Sequence, residues 1–246
     1  MPTIGEFTYF ERIGESGRSH ALNKPFSDDE TARSFLDMGA IFALLPKAPD
    51  RVLECGCGTG WLSYFLARKG YDVVGQDCNA DAVALAKSHP VFSHRGGSVE
   101  FVCSDFEKLD YSSEFDAVVF YAALHHSQSE DRTIASAYKA LRPGGVLIAV
   151  EPGVGHAAKS QAAINEYQLG DRDMPPYLVI RHGKRAGFKE WAVFQHAGQL
   201  ASTLYGQPPH SSKLRRLWAI PGTKLLALLS SVVFLKRFNG TVWMRK

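Results

Sequence analysis

Arg51-Val52-Leu53-Glu54-Cys55-Gly56-Cys57-Gly58-Thr59-Gly60 is the stretch whose reading decides how this chain folds. Two apolar residues precede an acid. Glycines then occupy alternate positions, and the helix-compatible run Trp61-Leu62-Ser63-Tyr64-Phe65-Leu66-Ala67 follows. The order is strand, tight turn, helix. Glycine lets the backbone turn sharply and approach a ligand closely, and the helix start presents unpaired N–H groups. A phosphate-binding P-loop needs Lys-Ser/Thr after its last glycine. Trp61-Leu62 stand there instead, so that reading fails. The dinucleotide pattern G-x-G-x-x-G would place its third glycine where Trp61 is, and Gly60 comes one residue early. A turn with no ligand leaves the three closely spaced glycines unexplained.

Outward from the turn, strand and helix alternate. Tyr71–Asp77 reads as a second strand, and a helix starts at Asn79 and runs to about His89. Ser98–Cys103 reads as a third strand ending at Ser104-Asp105, and Phe115–Tyr121 as a fourth. Ser129–Leu141 is a helix stopped by Arg142-Pro143-Gly144-Gly145, and Val146–Val150 is a fifth strand. Repeated β-α units with near-continuous apolar strands imply a parallel sheet covered by helices on both faces. Upstream, Ser27-Asp28-Asp29-Glu30 has the capping-box pattern and predicts a helix to about Leu45, ended by Pro46 and Pro49. Residues 1–26 mix aromatic and polar types without a clear period, as a loop or short helix does; this prelude either packs on the sheet or folds over a cofactor mouth as a lid. Downstream, Ala157–Gly170 and Tyr177–Ala186 read as helices, Gly187–Phe194 as a sixth strand and Gly240–Arg245 as the last.

The chain of 246 residues is long enough for one well-buried α/β domain with additions. Its four cysteines, Cys55, Cys57, Cys78 and Cys103, sit in or beside predicted strands. The Cys55-x-Cys57 spacing suits neither a redox nor a zinc pair, so all four read as reduced, mostly buried packing residues. With acids and bases interrupting any apolar run at the N-terminus, no secretory signal is expected and the reading is cytoplasmic. The net charge of +3 hides an asymmetry: residues 176–246 hold twelve Lys and Arg against the single acid Glu190, a balance of +11, which leaves −8 for the rest. Such polarity suits an anionic partner of the C-terminal part, or a solvated basic face.

Four features in order give the chain its family likeness: the glycine turn at 56–60, the acid Asp77 ending the second strand, Ser104-Asp105-Phe106 after the third, and Leu141-Arg142-Pro143-Gly144-Gly145 before the fifth. Together they resemble the class I S-adenosylmethionine (SAM) methyltransferases, of the type 11/25-like group, over about residues 50–152. The resemblance implies an α/β, Rossmann-like fold: a mostly parallel seven-stranded sheet, helices on both faces, and a final strand running antiparallel beside the fifth and sixth. It implies one methyltransferase domain over 1–246, with 1–48 as the prelude or lid, 50–152 as the SAM-binding core and 153–246 as the acceptor side and C-terminal strands.

It also implies roles. Asp77, at a strand end where ligands of open parallel sheets bind, would accept from both ribose hydroxyls. Cys78 would lie beside it. Asp105 would accept from the adenine amino group while Phe106 packs on the ring. Gly56, Cys57, Gly58 and Gly60 would leave room for the methionine portion, Glu54 would help order its amino-acid end, and Tyr121 would border the cofactor. Plain structural roles stand beside these: Asp105 can cap a helix at Glu107, and Asp77 can start the turn at Asn79.

Methyl transfer from a sulfonium is an in-line displacement, to which a protein chiefly contributes alignment and exclusion of water. A hydroxyl acceptor also has a proton to lose, and a histidine suits that near neutral pH. His125 and His126, after the fourth strand, are the candidate bases; the same Leu-His-His run can also simply shape the loop. Glu151 and His156, after the fifth, are acceptor-side alternatives. The expected function is therefore SAM-dependent O-methylation of a small molecule or glycan. The prelude Ser19–Asp28 is similar to methyltransferases of bacterial glycan synthesis. A nicotinamide-dependent oxidoreductase and a non-catalytic SAM-fold binding protein are the alternatives. No nucleic-acid module is visible, no metal is expected, and the oligomeric state is not legible. The uncharged run Leu225–Leu235 is flanked by basic residues and is too short to span a bilayer. It reads either as a core helix or as part of a membrane-surface contact over 211–237.

Overall fold

The computed structural model describes residues 2–29, 31–48, 50–88, 96–197, 225, 229 and 238–246. Three helices come first: α1 (Ile4–Arg12), α2 (Gly14–Leu22) and α3 (Thr31–Leu44). The alternating core follows as β1 (Arg51–Cys55), α4 (Trp61–Lys69), β2 (Asp72–Asp77), α5 (Ala80–Ser88), β3 (Val99–Cys103), β4 (Phe115–Tyr121), α6 (Glu130–Ala140) and β5 (Leu141–Val150). Beyond it lie α7 (His156–Lys159), α8 (Gln161–Tyr167), α9 (Pro176–Ala186), β6 (Glu190–Gln195) and β7 (Gly240–Arg245).

The strands form one seven-stranded sheet in the order β3-β2-β1-β4-β5-β7-β6. β1 to β5 pair in parallel, and β7 runs antiparallel between β5 and β6. This is the expected α/β Rossmann-like architecture. Alternation along the strands sends side chains to two cores. Leu53, Val118, Phe120 and Leu147 pack with Ile134 and Ala137 of α6 and Val179 of α9. Val52, Val73, Val119 and Ile148 pack with Ile41 of α3 and Leu62 and Leu66 of α4. Helices therefore cover both faces, and the central strands read as continuous apolar runs because neither face meets water.

Several local readings differ from expectation. Residues 4–22, read as a loop or short helix, form two helices, α1 and α2. α3 starts at Thr31, and Ser27 does not cap it: the Ser27 hydroxyl donates to the carbonyl of His20 at 2.6 Å. Glu30, the other half of that pattern, lies outside the described residues. Ala157–Gly170 divides into α7 and α8, with Ser160 between them. The Arg142-Pro143-Gly144-Gly145 segment belongs to β5 as an irregularity, where the register steps from Phe115↔Leu141 to Ala117↔Val146. Cys55 and Cys57 are buried, but Cys78 is half-buried and Cys103 exposed, because β3 is the edge strand. The Leu225–Leu235 run, apart from Leu225 and Leu229, and the 211–237 contact surface fall outside the described residues. Among those described, no helix is long and apolar enough to cross a membrane.

Candidate active site

The C-terminal ends of β1, β2, β4 and β5 open on one side of the sheet, where three adjoining cavities meet at Ala122 and His126. The glycine turn builds the first two. Gly56, Gly58 and Gly60 all have positive φ, at 73°, 53° and 81°. A Cβ on Gly56 would stand 2.5 Å from the Cβ of Ala123, so the loop after β4 closes on this glycine. A Cβ on Gly58 would meet nothing within 4 Å, since it faces open space. Gly60 borders none of the cavities; its left-handed conformation turns the chain into α4.

A cavity of about 240 Å³ is bordered by Asp77, Cys78, Asn79 and Phe106, with Glu6, Tyr9 and Phe10 of α1 closing it from above. Asp77 is fixed by local backbone: Oδ2 accepts from Gly58 N–H and Oδ1 from Asn79 N–H, both at 2.8 Å. Each oxygen keeps a lone pair for a ligand hydroxyl. The Asn79 side chain caps α5 through Ala82 N–H and donates to the carbonyls of Glu6 and Phe7, pinning α1 over the site. Asp105 is not among the bordering residues. It caps the short turn Phe106–Lys108, Oδ1 accepting from Glu107 N–H at 2.9 Å, while Phe106 enters the cavity.

The second cavity, about 560 Å³, runs along the turn itself and is bordered by Glu54, Gly56, Cys57, Gly58, Thr59 and Tyr121 beneath α1 and α2. The Thr59 hydroxyl donates to the Ala21 carbonyl at 2.7 Å, tying α2 to the turn. Glu54 is buried and accepts from the hydroxyl of Ser63. Loss of water pushes its pKa up to about 8, against the lowering effect of that hydrogen bond.

The third cavity, about 490 Å³, is reached past Tyr121, Ala122 and His126 and is bordered mainly by ionisable side chains of α3, the post-β4 and post-β5 segments and His196. Here the structure separates the two candidate histidines. His125 Nδ1 lies 2.7 Å from Glu151 Oε2, and both side chains are buried. Glu151 Oε1 accepts in addition from the N–H groups of Ala123 and Leu124, at 3.0 and 2.8 Å. Burial lowers the pKa of His125, and the pull of Glu151 only partly opposes it. His125 is therefore a neutral, oriented imidazole. His126 is different. Burial disfavours its charged form, but Asp171 and Glu6 outweigh burial and push its pKa up to about 10. His126 Nδ1 lies 2.9 Å from Asp171 Oδ1 and 3.2 Å from Glu6 Oε1. Asp171 is also shared with His156 at 3.5 Å, and its own pKa is lowered.

Ala122, where the three cavities meet, has a φ of 50°, an unusual conformation for a residue with a Cβ. Its N–H donates to Val150 at 2.8 Å. His125, His126 and Asp171 offer ligand atoms within 4.8 Å of one another. However, Glu151 holds one nitrogen of His125, and Nδ1 of His126 already faces both Asp171 and Glu6. The third cavity thus draws on Asp37, Asp171 and His196, and Glu6 reaches His126 from the first; the sequence marked none of them, because no local spacing links them.

Residues 52–145 match the methyltransferase-domain family Methyltransf_25. Together with the sheet order and the turn geometry, this makes the segment the core of a class I SAM-dependent methyltransferase domain. Among curated proteins, the chain is 32% identical over 149 residues to the mitochondrial ubiquinone biosynthesis O-methyltransferase of Mus musculus, a match covering 57% of this chain and 39% of that protein. It is 31% identical over 121 residues to phosphoethanolamine N-methyltransferase 3 of Arabidopsis thaliana, covering 48% and 23%. Each match spans well under half of the relative's length. Among solved structures, the Haemonchus contortus phosphoethanolamine N-methyltransferase 2 in complex with S-adenosyl-L-methionine superposes with a TM-score of 0.62 at 17% identity, covering 97% of this chain and 58% of that one. That likeness speaks to the fold alone.

Proposed function

We propose that this protein transfers a methyl group from SAM to a hydroxyl oxygen of a small molecule or glycan. The observation that carries the reading is the junction at Ala122 and His126: a pair of cavities over the glycine turn meets a third, in which His125 stands oriented by Glu151.

The cradle suits SAM on its own chemistry. Asp77 supplies acceptors for vicinal ribose hydroxyls, Phe106 an apolar face for a purine, and Glu54 a polar group at the methionine end. The turn glycines supply open space where side chains would intrude. When bound, SAM supplies an electrophilic methyl group on a sulfonium sulfur. The chain's own contribution is alignment and dryness. α1 and α2 form the lid of the 1–48 segment, 50–152 holds the cofactor, and α3 with 153–246 shapes the acceptor side. Tyr121 lines both the turn cavity and the acceptor cavity and separates them. His125 takes the acceptor's proton: its Nδ1 is held by Glu151, which leaves Nε2 as the accepting atom. His126, charged and clamped, is unsuited to that task; it fastens α1 to the post-β5 segment through Glu6 and Asp171.

Incubation with methyl-labelled SAM and a small-molecule extract tests the reading. Label should move to an ether-type oxygen in the wild type and not in His125→Ala. SAM binding without any transfer would favour the non-catalytic alternative. Transfer to a nitrogen, in keeping with the N-methyltransferase likeness, would retain the enzyme class but remove the hydroxyl. The basic C-terminal part and the 211–237 run support a second, separable proposal, contact with an anionic membrane or lipid-linked acceptor. Vesicle co-sedimentation at low salt tests it.

A further inference from the structure

Among the described residues, four histidine–carboxylate contacts border the acceptor cavity: His125–Glu151, His126–Asp171, His156–Asp171 and His196–Asp37. The transfer step uses the first, the second and third share Asp171, and the fourth stands apart from them. His196, immediately after β6, places Nδ1 3.0 Å from Oδ1 of Asp37 on α3, and each side chain is 2% exposed. Neither atom completes a hydrogen bond among the described residues, a state shared by His126 Nδ1 and Asp171 Oδ1; there, however, Glu6 and His156 supply further ionisable partners. In contrast, the Glu151 oxygens beside His125 are engaged by backbone N–H groups as well as by the imidazole. Buried polar atoms without partners are costly and call for a reason. Asp37 has a neighbouring cation in Arg33, 3.7 Å from Oδ2, which offsets charge but leaves Oδ1 and the imidazole nitrogen unsatisfied.

The rest of the cavity narrows what could satisfy them. Of its described bordering residues, only Ala122, Val150 and Pro152 lack a polar side chain. An apolar acceptor would bury those ionisable groups without compensation. A carboxylate oxygen and an imidazole N–H held 3.0 Å apart suit a group that donates to one and accepts from the other. A hydroxyl does both; a carboxylate only accepts and would meet the charge of Asp37, and an ammonium only donates.

We propose that His196 and Asp37 are a positioning site for a second hydroxyl of the acceptor. The acceptor is then a polyhydroxylated, hydrophilic molecule, gripped at His196 and Asp37 and methylated at the hydroxyl that faces His125. The inference rests on the transferase reading and adds the substrate class to it.

The test uses the full chain, methyl-labelled SAM and four probes: methyl α-D-glucopyranoside, 4-propylphenol, and the polar and lipid fractions of an extract from cells that express the protein. Label should enter the polar fraction and the glucopyranoside in preference to 4-propylphenol and the lipid fraction. His196→Ala and Asp37→Ala should each raise the half-saturating concentration of the polar fraction about tenfold, while the saturated rate changes by less than about threefold. SAM affinity and thermal unfolding should stay close to wild type in at least one of the two. His196→Asn, which restores an N–H donor near the Nδ1 position, should recover part of the loss. Label confined to the lipid fraction or 4-propylphenol would overturn the proposal, as would unchanged half-saturation in both folded variants. If SAM binds and no probe takes label, the transferase reading itself fails, and this inference with it.

Discussion

On the cofactor side, Asp77 is held by the N–H groups of Gly58 and Asn79, which belong to the turn beside it and to the turn it begins. On the acceptor side, His125 is held by Glu151 from the neighbouring strand end, His126 by Glu6 from the first helix, and His196 faces Asp37 of the third. One half is built from backbone groups whose positions follow from strand–turn–helix geometry. The other is built from side chains that only folding brings together. The difference has a chemical counterpart. Backbone donors suit a ligand of fixed shape, such as a nucleoside. Paired ionisable side chains can be re-paired, and so can adapt one scaffold to different acceptors.

The sharpest way to break this division is at His125. His125→Ala should lower turnover by about 10²- to 10⁴-fold while SAM affinity measured by calorimetry stays within twofold or so. If SAM binding fell as far as turnover, the two halves would not be separable. The pH profile sharpens the point. The imidazole must be neutral to accept a proton, and burial sets its pKa below the ordinary 6.5. Turnover should therefore be level through neutrality and fall only on the acid side; an acid limb centred above pH 7 would remove His125 from the step.

The converse test is Gly56→Ala, which belongs to the cofactor side. The new Cβ would meet Ala123 at 2.5 Å on a backbone with φ of 73°. A destabilisation of about 2–4 kcal/mol is expected in denaturant titration, together with weaker SAM binding. A stable variant with normal affinity would show that the post-β4 loop does not rest on the turn. Asp77→Ala should be gentler on the fold and weaken SAM by at least ~1 kcal/mol, because ribose acceptors are lost. Unchanged affinity in a folded variant would take Asp77 out of the site.

The smallest effect concerns the contact between the halves. His126 has a folded pKa of about 10 against an ordinary 6.5, so its stabilisation is fully present below 6.5 and fades as pH rises through about 10. Asp171 has a lowered pKa, so its share is present above the ordinary 3.8 and is lost as pH falls further. His126→Gln should accordingly lower the melting temperature by about 2–4 °C, roughly 1 kcal/mol, near pH 5–6, and by less at pH 10. A deficit that grew with pH would contradict the ion-pair account. Chelator dialysis should leave the melting temperature unmoved, since Nδ1 of His125 and Nδ1 of His126 each already face a carboxylate.

Much of the cofactor half was legible because its information is local. Glycines at 56, 58 and 60, with an acid at the next strand end, define a turn and a ligand position whatever packs around them. The parallel sheet was likewise visible in strands apolar on both faces. Where local patterns had rivals, the sequence erred or stayed open. Ser27 matched a cap yet spends its hydroxyl on His20, and Asp105 serves as the cap that was its alternative reading. Cys103 looked like a packing residue because strand order, and hence which strand is the edge, is not written in any single segment.

The choice between His125 and His126 could not come from the sequence. Adjacent in the chain, they differ only in which carboxylates approach and how much water is excluded, and both are properties of the assembled fold. Asp37 and His196 carry no motif at all. By itself, the sequence determined the sheet, the turn and the place of the acid at the end of β2, since backbone geometry and apolar periodicity act over a few residues. Only the tertiary structure decided which histidine is neutral, which is charged and what borders the third cavity, because pKa and hydrogen-bond satisfaction depend on groups that lie far apart along the chain.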